Sequence, residues 1–323
     1  MTTSNRPDPP PVRVLIFNEM AERYAAALAA FFPSVEFVCA TTHAEALQHA
    51  ADAQVLLAYA HDMSATLTAA ASKLHWIQAL TTGVDAILGM PDLRPGIIVT
   101  SARGNHGPQM AEMAFLHMLT LARGARRMWR NQEEGIWERW PQPLLSQKTV
   151  TVVGIGAVAE ALAKRCKAFG MTVLGVSSGE RTLDNFDRIV GRDRLREAAA
   201  QADFLVLLVP YAAATKCIID GNVLACMKPD AFLINLARGG VVDESALIAS
   251  LQRHSIAGAG LDVFAVEPLP PSHPFWRMEN VLMSPHVGGL SSTYVEQLTP
   301  LLRANLSAYL QGRPEAMSNR VER

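Results

Sequence analysis

Two glycines, Gly154 and Gly156, lie where an apolar run meets a helical pattern. The segment Lys148–Thr182 has the pattern of a strand, a glycine turn, a helix and a second strand. In such a turn, backbone N–H groups at the helix N-terminus face a pyrophosphate, whose negative charge the helix dipole favours. Gly154 would permit the tight turn, Gly156 would let phosphates approach, and Ala159 stands where a third glycine is usual. The pattern predicts dinucleotide binding, although a βα turn that needs glycine for backbone reasons alone has the same spacing.

Three polar residues follow apolar strand patterns further along the chain: Arg238 after INLA, Glu267 after LDVFAV and His286 after NVLMSP. Ligands of open α/β sheets bind at the carboxyl ends of the strands. An arginine can hold a carboxylate or polarise a carbonyl, and a histidine can exchange a proton near neutral pH. A carboxylate on the other ring nitrogen would orient the histidine and favour its charged form. The set suits reduction of a keto acid, although each residue alone could be a turn cap, a solvated carboxylate or a satisfied strand-end histidine.

The elements that must position these residues alternate along the chain. Apolar strands separated by helical segments predict parallel βαβ units covered by helices on both faces. The strand patterns cover residues 12–17, 35–40, 53–59, 74–80, 96–102, 204–210, 231–237, 257–264 and 280–286, besides the two strands that flank the glycine turn. Helical patterns cover residues 19–31, an uninterrupted stretch 106–131, and 292–311, and residues 133–147 have no regular period. The predicted class is α/β with two doubly wound parallel-sheet domains.

Composition narrows the class of protein further. A chain of 323 residues exceeds the usual size of one domain, and 50% apolar residues provide for a large core. A net charge of −1 indicates neither nucleic acid nor an anionic membrane as a partner. The N-terminal MTTSNRPDPPP predicts a loose tail rather than a signal peptide, and no run is apolar enough to span a bilayer. The four cysteines lack metal-ligand spacing and suit a reducing compartment, so we expect a soluble cytoplasmic protein without a metal site: Cys39, Cys166, Cys217 and Cys226.

The end of the second strand bears on which nicotinamide cofactor is bound. Ser177 occupies the place where NAD-specific enzymes carry an Asp or Glu that binds the ribose 2′-hydroxyl. A serine can donate to a 2′-phosphate, and Arg181 could add positive charge, whereas Glu180 in the same loop would oppose it. The loop therefore predicts a preference for NADP over NAD, with tolerance of either cofactor as the alternative.

Three segments near the C-terminal end follow one another in a specific order: INLARGGVVDESAL, GLDVFAVEPLP and SPHVGG. Together with TTGVDAI, the turn VGIGAVAEALA and LVPYAAAT, they resemble the D-isomer-specific 2-hydroxyacid dehydrogenase family, especially its glyoxylate/hydroxypyruvate reductase branch. The resemblance covers nearly the whole chain. It implies an NAD(P)-dependent oxidoreductase that reduces a small 2-keto acid, such as glyoxylate or hydroxypyruvate, to a D-2-hydroxy acid.

The resemblance also implies roles for individual residues. Arg238 would bind the substrate, His286 would be the acid/base, and Glu267 would be the carboxylate behind it. Backbone N–H groups would hold the substrate carboxylate at Thr82, Gly83 and Val84. Asp262 would contact the nicotinamide carboxamide, and Val209 and Pro210 would line the adenine side. The remaining predicted cofactor contacts are Gly154, Gly156, Ala157, Val158, Ser177, Ser178, Arg181 and Ala237.

The family's fold is discontinuous, which predicts the domain organisation. A flavodoxin-like substrate domain would comprise residues 1–103 and 290–323, and a Rossmann-type dinucleotide domain, residues 104–289, would be inserted in it, with the site in the cleft between them. The resemblance further implies a homodimer, in which Trp137 or Trp140 either reaches the neighbour's active site or packs within the interface. His61, His106 and His117 lie in family-typical segments but away from the acid/base position.

Two alternative functions fit the same residues. The fold also serves nucleotide-sensing, corepressor-like binding proteins, and keeping the catalytic set does not exclude that use. A phosphoglycerate-type dehydrogenase is the other alternative. Oxidation of the cofactor with a panel of 2-keto acids distinguishes an enzyme from a binding protein.

Overall fold

The computed structural model describes residues 11–322, which form two compact units. The first unit comprises the described residues up to Asn105 and those from Ser291 onward, and the second is His106–Leu290. Residues 1–10 of the predicted loose tail lie outside the described residues. Each unit is built around its own parallel sheet.

The described residues contain twelve strands in two sheets. They are β1 (Arg13–Phe17), β2 (Glu36–Ala40), β3 (Val55–Ala58), β4 (Trp76–Ala79), β5 (Ile98–Thr100), β6 (Thr149–Val153), β7 (Thr172–Ser177), β8 (Arg188–Gly191), β9 (Phe204–Leu207), β10 (Phe232–Asn235), β11 (Gly258–Leu261) and β12 (Val281–Met283). The first sheet has the order β2-β1-β3-β4-β5 and the second β12-β11-β10-β9-β6-β7-β8, with every paired strand parallel.

Helices connect most of the successive strands in both units, with β7–β8 and β11–β12 as the exceptions. They are α1 (Ala21–Ala29), α2 (His43–His49), α3 (Ala65–Ala70), α4 (Asp85–Leu88), α5 (Gly107–Ala122), α6 (Ala125–Glu134), α7 (Ala157–Ala168), α8 (Leu195–Gln201), α9 (Gly221–Cys226), α10 (Glu244–Gln252) and α11 (Tyr294–Leu310). None of these helices is both long enough and apolar enough to span a membrane.

The strand orders identify both sheets as doubly wound. The first has the flavodoxin-like order, and the second, read from β8, has the Rossmann order extended by a seventh strand. The predicted α/β class with two doubly wound parallel sheets is therefore confirmed. Strands such as β3 and β9 are buried along their whole length, because helices cover both faces of a parallel sheet. This burial explains why they read as continuous apolar runs.

The prediction of one uninterrupted helix over residues 106–131 is wrong. The helical stretch divides into α5 and α6, with Arg123 and Gly124 between them. Gly124 has φ of 63°, in the left-handed region, which ends a helix and favours glycine. The side chain of Trp140 lies against this glycine, so the break is also a packing site.

Strand β8 was not predicted from the sequence. It is only four residues long and pairs on one side alone, with β7. The Asp187 carboxylate accepts from the amide N–H of Val173 at 2.7 Å and pairs with Lys167, and it thereby ties this edge to β7. A short edge strand that is held by such long-range contacts has a weak local pattern.

Candidate active site

The glycine turn joins the interior strand β6 to helix α7. Gly154 has φ of +96°, and a Cβ there would lie 2.5 Å from the backbone N and Cα of Val209, so only glycine fits. Gly156 has an ordinary extended φ of −162°, and a Cβ there would meet nothing within 4 Å among the described residues. No neighbouring atom of the described residues therefore requires a glycine at position 156. Open space of this kind beside a helix end is what the close approach of a phosphate requires.

Helix α7 offers the donors that an anion needs. Its N-cap residue is Gly156, which has no side chain to cap the helix, and the first intrahelical bond runs from the N–H of Glu160 to the carbonyl of Gly156 at 3.0 Å. The N–H groups of Ala157, Val158 and Ala159 precede this bond, and the geometry of an α-helix leaves such groups without an intrahelical acceptor. The turn and the helix end therefore fit the pyrophosphate of a dinucleotide.

The loop after β7 lies against the same turn. Ser177 is buried, and its hydroxyl donates to the carbonyl of Gly179 at 2.6 Å and accepts from its N–H at 3.3 Å. Arg181 Nη2 donates to the carbonyl oxygen of Ile155 at 2.9 Å, which places its positive charge beside the glycine turn. Glu180 instead pairs with Arg194 at 3.4 Å.

Three predicted site residues come together at the carboxyl ends of β10, β11 and β12. His286 Nδ1 lies 2.7 Å from Glu267 Oε2, and Glu267 Oε1 accepts from the N–H of Phe264 at 2.9 Å. His286 Nε2 has no hydrogen-bond partner within the part of the chain that the structure describes. Arg238 lies close enough to Glu267 to act on its charge. The histidine is thus oriented at one nitrogen and open at the other.

The charge of Glu267 is settled by opposing effects. Partial burial acts to raise the pKa of its carboxyl, because the charged form loses hydration. Hydrogen bonds from His286 and from the N–H of Phe264, with the charges of His286 and Arg238, outweigh burial and lower the pKa below its ordinary value. Glu267 is therefore ionised at neutral pH and presents a negative charge to the imidazole of His286.

The backbone around His286 is held in an uncommon conformation. His286 has φ of 53°, in the left-handed region that few non-glycine residues occupy, and its N–H donates to the carbonyls of Asp262 (2.9 Å) and Ser284 (3.0 Å). The Asp262 carboxylate accepts from the N–H groups of Val287 at 3.0 Å and Gly288 at 2.9 Å. Such conformations persist only where surrounding contacts impose them, and they cluster at functional sites.

A second loop positions Arg238. The buried side chain of Asn235, at the end of β10, donates to the carbonyl of Arg238 at 3.0 Å and accepts from the N–H of Ala237 at 3.1 Å. A Cβ at Gly239 would collide with the backbone of Phe264, so glycine is required there. Asn235 was not among the residues predicted from the sequence, although an amide at the end of an otherwise apolar strand is a signal that could have found it.

The other predicted residues lie as follows. Val209 is buried against Gly154, Ala237 is buried beside Arg238, and Ser178 and Pro210 are exposed. Thr82, Gly83 and Val84 belong to the first unit, after β4, where the hydroxyl of Thr81 donates to the carbonyl of Gly83 at 2.7 Å. The roles of all these residues stay predictions.

Comparison with known proteins identifies the family. A sequence profile described as "D-isomer specific 2-hydroxyacid dehydrogenase, NAD binding domain" matches residues 115–288, more than half of the chain. The chain belongs to the D-isomer-specific 2-hydroxyacid dehydrogenase family. This confirms the resemblance found in the sequence, and makes the protein an NAD(P)-dependent enzyme of that family.

Relatives of this 2-hydroxyacid dehydrogenase agree in sequence and in structure. It is 34% identical to the glyoxylate reductase of Korarchaeum cryptofilum over 251 residues, 75% of each chain. It matches a family protein from Aeromonas salmonicida with a TM-score of 0.90 and 29% identity, over 96% of this chain and 99% of that one. A D-isomer-specific 2-hydroxyacid dehydrogenase from Xanthobacter autotrophicus, solved with NADPH and MES, matches with a TM-score of 0.83 and 28% identity, over 97% and 98%.

Replacing the two glycines of the turn by alanine should have opposite consequences. Gly154→Ala should lower the free energy of unfolding by about 2 kcal/mol or more, because its Cβ meets the backbone of Val209 at a positive φ. Gly156→Ala should leave stability within about 0.5 kcal/mol of wild type but weaken cofactor binding, since the methyl group occupies the phosphate's space. Urea unfolding and fluorescence titration with NADPH and NADH measure the two effects. Unchanged cofactor affinity in Gly156→Ala would contradict this interpretation of the turn.

A buried histidine of α5, His117, should make stability depend on pH. Burial lowers its pKa from the ordinary 6.5 to about 4, and the nearby charge of Asp262 offsets this only in part. As pH falls below about 6.5, His117 becomes protonated in the unfolded chain, whereas in the folded protein it becomes protonated only near pH 4. The contribution of neutral His117 to the free energy of unfolding is therefore complete above about pH 6.5. It is lost between about pH 6.5 and pH 4, by about 3 kcal/mol in total.

The substitution His117→Gln should remove that component, so the free energy of unfolding should fall less steeply between about pH 7 and pH 4 than in wild type. Urea titrations across this range measure the slope. The matched control is His61→Gln, which replaces an exposed histidine and should keep the wild-type slope. Parallel curves for wild type and His117→Gln would show that His117 is not neutral in the folded protein.

Proposed function

We propose that this dehydrogenase reduces a small 2-keto acid, such as glyoxylate, hydroxypyruvate or a close relative, to the D-2-hydroxy acid, with NADPH preferred over NADH. The observation that carries the proposal is the 2.7 Å contact of His286 Nδ1 with Glu267, beside Arg238, at the edge of the sheet that also bears the glycine turn. The naming of the Korarchaeum relative as a glyoxylate reductase supports a substrate of this size.

His286 acts as the proton donor in this proposal. When bound, the reduced nicotinamide supplies a hydride to the carbonyl carbon of the substrate. His286 in its charged form gives the proton at Nε2 to the carbonyl oxygen, since Nδ1 is already bonded to Glu267. Glu267 stays ionised, holds the imidazole in one orientation and stabilises its positive charge. The planar guanidinium of Arg238 can bind the substrate's carboxylate and carbonyl oxygens with two parallel hydrogen bonds.

Other contacts of the predicted set complete the proposal. Backbone N–H groups of Thr82, Gly83 and Val84 bind the substrate carboxylate, as the resemblance implies. Asp262 contacts the nicotinamide carboxamide. Its carboxylate already accepts three hydrogen bonds, and an ionised carboxylate has about four acceptor positions, so one remains for that contact.

The preference for NADPH is inferred from the charges around Ser177. The carboxylate that would repel a 2′-phosphate is missing at this position, and Arg181 lies beside the glycine turn through its bond to Ile155. Glu180, the acidic residue nearest along the chain, is paired with Arg194, which reduces its repulsion of an anion. The Xanthobacter relative, solved with NADPH, is consistent with this preference.

A homodimer is the proposed oligomeric state. The segment around α6 exposes several large apolar side chains, and Trp137 is 94% exposed. Clusters of this kind mark protein contacts. Trp140, by contrast, lies under the guanidinium of Arg127 at 4.3 Å and beside Gly124. Trp137 is therefore the better candidate for a contact with a second subunit: the exposed set is Met128, Trp129, Ile136, Trp137 and Leu144.

The function is tested by steady-state reduction of short 2-keto acids with NADPH and NADH in parallel. We expect turnover in wild type and, in His286→Asn, retained fold and cofactor binding with kcat lowered roughly 10²- to 10⁴-fold, because general acid catalysis is lost. His254→Asn, a change at an exposed histidine, is the matched control and should keep wild-type kcat. Cofactor binding without turnover of any keto acid would favour the corepressor-like alternative, and wild-type kcat in His286→Asn would disprove the acid/base role.

Cofactor choice is tested by adding and removing charge in the loop after β7. Ser177→Asp should reverse or abolish the preference for NADPH in kcat/KM, since it places a negative charge beside the 2′-phosphate and offers an acceptor to a 2′-hydroxyl. Arg181→Ala should lower kcat/KM with NADPH and leave kcat/KM with NADH almost unchanged. Arg188→Ala, at an exposed arginine of β8, is the control for net charge. A wild-type preference for NADH would refute this interpretation of the loop.

A further inference from the structure

A buried chain of hydrogen bonds lies beneath the loop that carries His286. Ser284 Oγ is 2.6 Å from Asp262 Oδ1 and 3.2 Å from His117 Nε2. His117 and Asp262 are each only 1% exposed. The chain thus links helix α5 to the end of β11 and to the start of the loop after β12, across 167 residues of sequence between His117 and Ser284.

The proton positions in this chain follow from the inventory of donors and acceptors. The single hydroxyl proton of Ser284 is directed to the carboxylate of Asp262, which is the shorter contact and the stronger acceptor. Ser284 Oγ can then only accept from His117, so Nε2 of the imidazole carries the proton. Nδ1 of His117 keeps a lone pair and has no partner among the described residues. The imidazole is neutral, as its burial also favours.

The strand beneath the ring makes room for it. A Cβ on Gly260, within β11, would collide with the His117 side chain at Nδ1, Cβ and Cγ. A glycine inside a strand destabilises it, because glycine has no side chain to pack and its backbone loses more conformational freedom on folding than that of other residues. Gly260 therefore makes room for the imidazole of His117 at some cost to the stability of β11. If His117 served only to fill space, an aliphatic side chain would serve as well.

Asp262 connects this chain of hydrogen bonds to the backbone around His286. Its two oxygens accept from the N–H groups of Val287 and Gly288, directly after His286, and its backbone carbonyl accepts from the N–H of His286 itself. The left-handed φ of His286, which aims the imidazole at Glu267, is thus fixed through Asp262 on both sides. A rotation of the Asp262 carboxylate would break its hydrogen bonds with the N–H groups of Val287 and Gly288.

We propose that His117 is a positioning residue for proton transfer: it donates to Ser284, which locks the Asp262 carboxylate and thereby holds His286 against Glu267. The inference rests on the proposed function, in which His286 is the proton donor. His117 touches neither substrate nor cofactor in this proposal and acts only through Ser284 and Asp262.

Kinetics of two substitutions at His117 provide the first test. His117→Phe removes the donor and should lower kcat roughly 10- to 100-fold with little change in KM, because a displaced acid misses the transition state rather than the ground state. His117→Gln keeps a donor near Nε2 and should recover most of the loss. Thr120→Val, a change at another buried polar residue of α5, controls for disturbance of the helix and should keep wild-type kcat.

A second readout does not need turnover. The Nδ1–H proton of His286, hydrogen-bonded to Glu267, should give a downfield ¹H NMR signal that is identified by its loss in His286→Asn. His117→Phe should shift or broaden this signal, and His117→Gln and Thr120→Val should not. Ser284→Ala, a smaller change, should also shift or broaden the signal. The effects of His117→Phe and Ser284→Ala on the urea midpoint should be non-additive.

These readouts separate the proposal from the proposed function. Absence of keto acid turnover in wild type would refute the function, whereas the NMR signal and the non-additivity would still decide the positioning link. An unchanged His286 signal in both His117→Phe and Ser284→Ala, or wild-type kcat in His117→Phe, would overturn the proposal. If His117→Phe does not fold, Ser284→Ala carries the same test, and an unchanged His286 signal with wild-type kcat in Ser284→Ala would overturn the proposal.

Discussion

Three strands at one edge of the seven-stranded sheet, β10, β11 and β12, are adjacent and parallel, so their carboxyl ends lie side by side. That pairing brings Arg238, Glu267 and His286 together, although 48 residues of sequence separate the first from the last. Antiparallel pairing would have placed one of them at the opposite edge. Two carboxylates of this region act on His286: Glu267 contacts its ring, and Asp262 bonds with the backbone around it. The arrangement of the candidate site therefore depends on the register of three short strands.

Two carboxylates that lie close to His286 serve different purposes because their burial and their partners differ. The Glu267 side chain is 35% exposed, faces the imidazole of His286 and keeps its charge through that contact and the N–H of Phe264. Asp262 is fully buried and accepts from a hydroxyl and two backbone N–H groups, which spread its charge over neutral donors. The first can respond to a change of charge on the histidine, whereas the second is suited to hold a loop still.

Close approach explains several glycines of the second unit, each for a different neighbour. Gly154 admits the backbone of Val209, Gly239 admits the backbone of Phe264, and Gly260 admits the ring of His117. Gly156 differs from these, because no described protein atom lies within 4 Å of the position of its absent Cβ. The contrast distinguishes a glycine required by the fold from one that leaves room for a ligand, a distinction that a sequence motif alone does not make.

The sequence by itself determined the α/β class, nearly all the strands, the glycine turn and the strand-end residues Arg238, Glu267 and His286. These features are local: apolar runs, turn residues and the polar residue that follows a strand are each encoded within a few positions. The tertiary structure decided what depends on distant partners, including the edge strand β8, the bond of Arg181 to Ile155 and the chain from His117 through Ser284 to Asp262. Helical periodicity did not reveal the role of His117. An imidazole on the buried face of a helix has the same sequence pattern whether it only packs or also donates to a partner 167 residues away. Folding supplies that partner by closing long loops, and the pattern of a single segment carries no information about which segments meet.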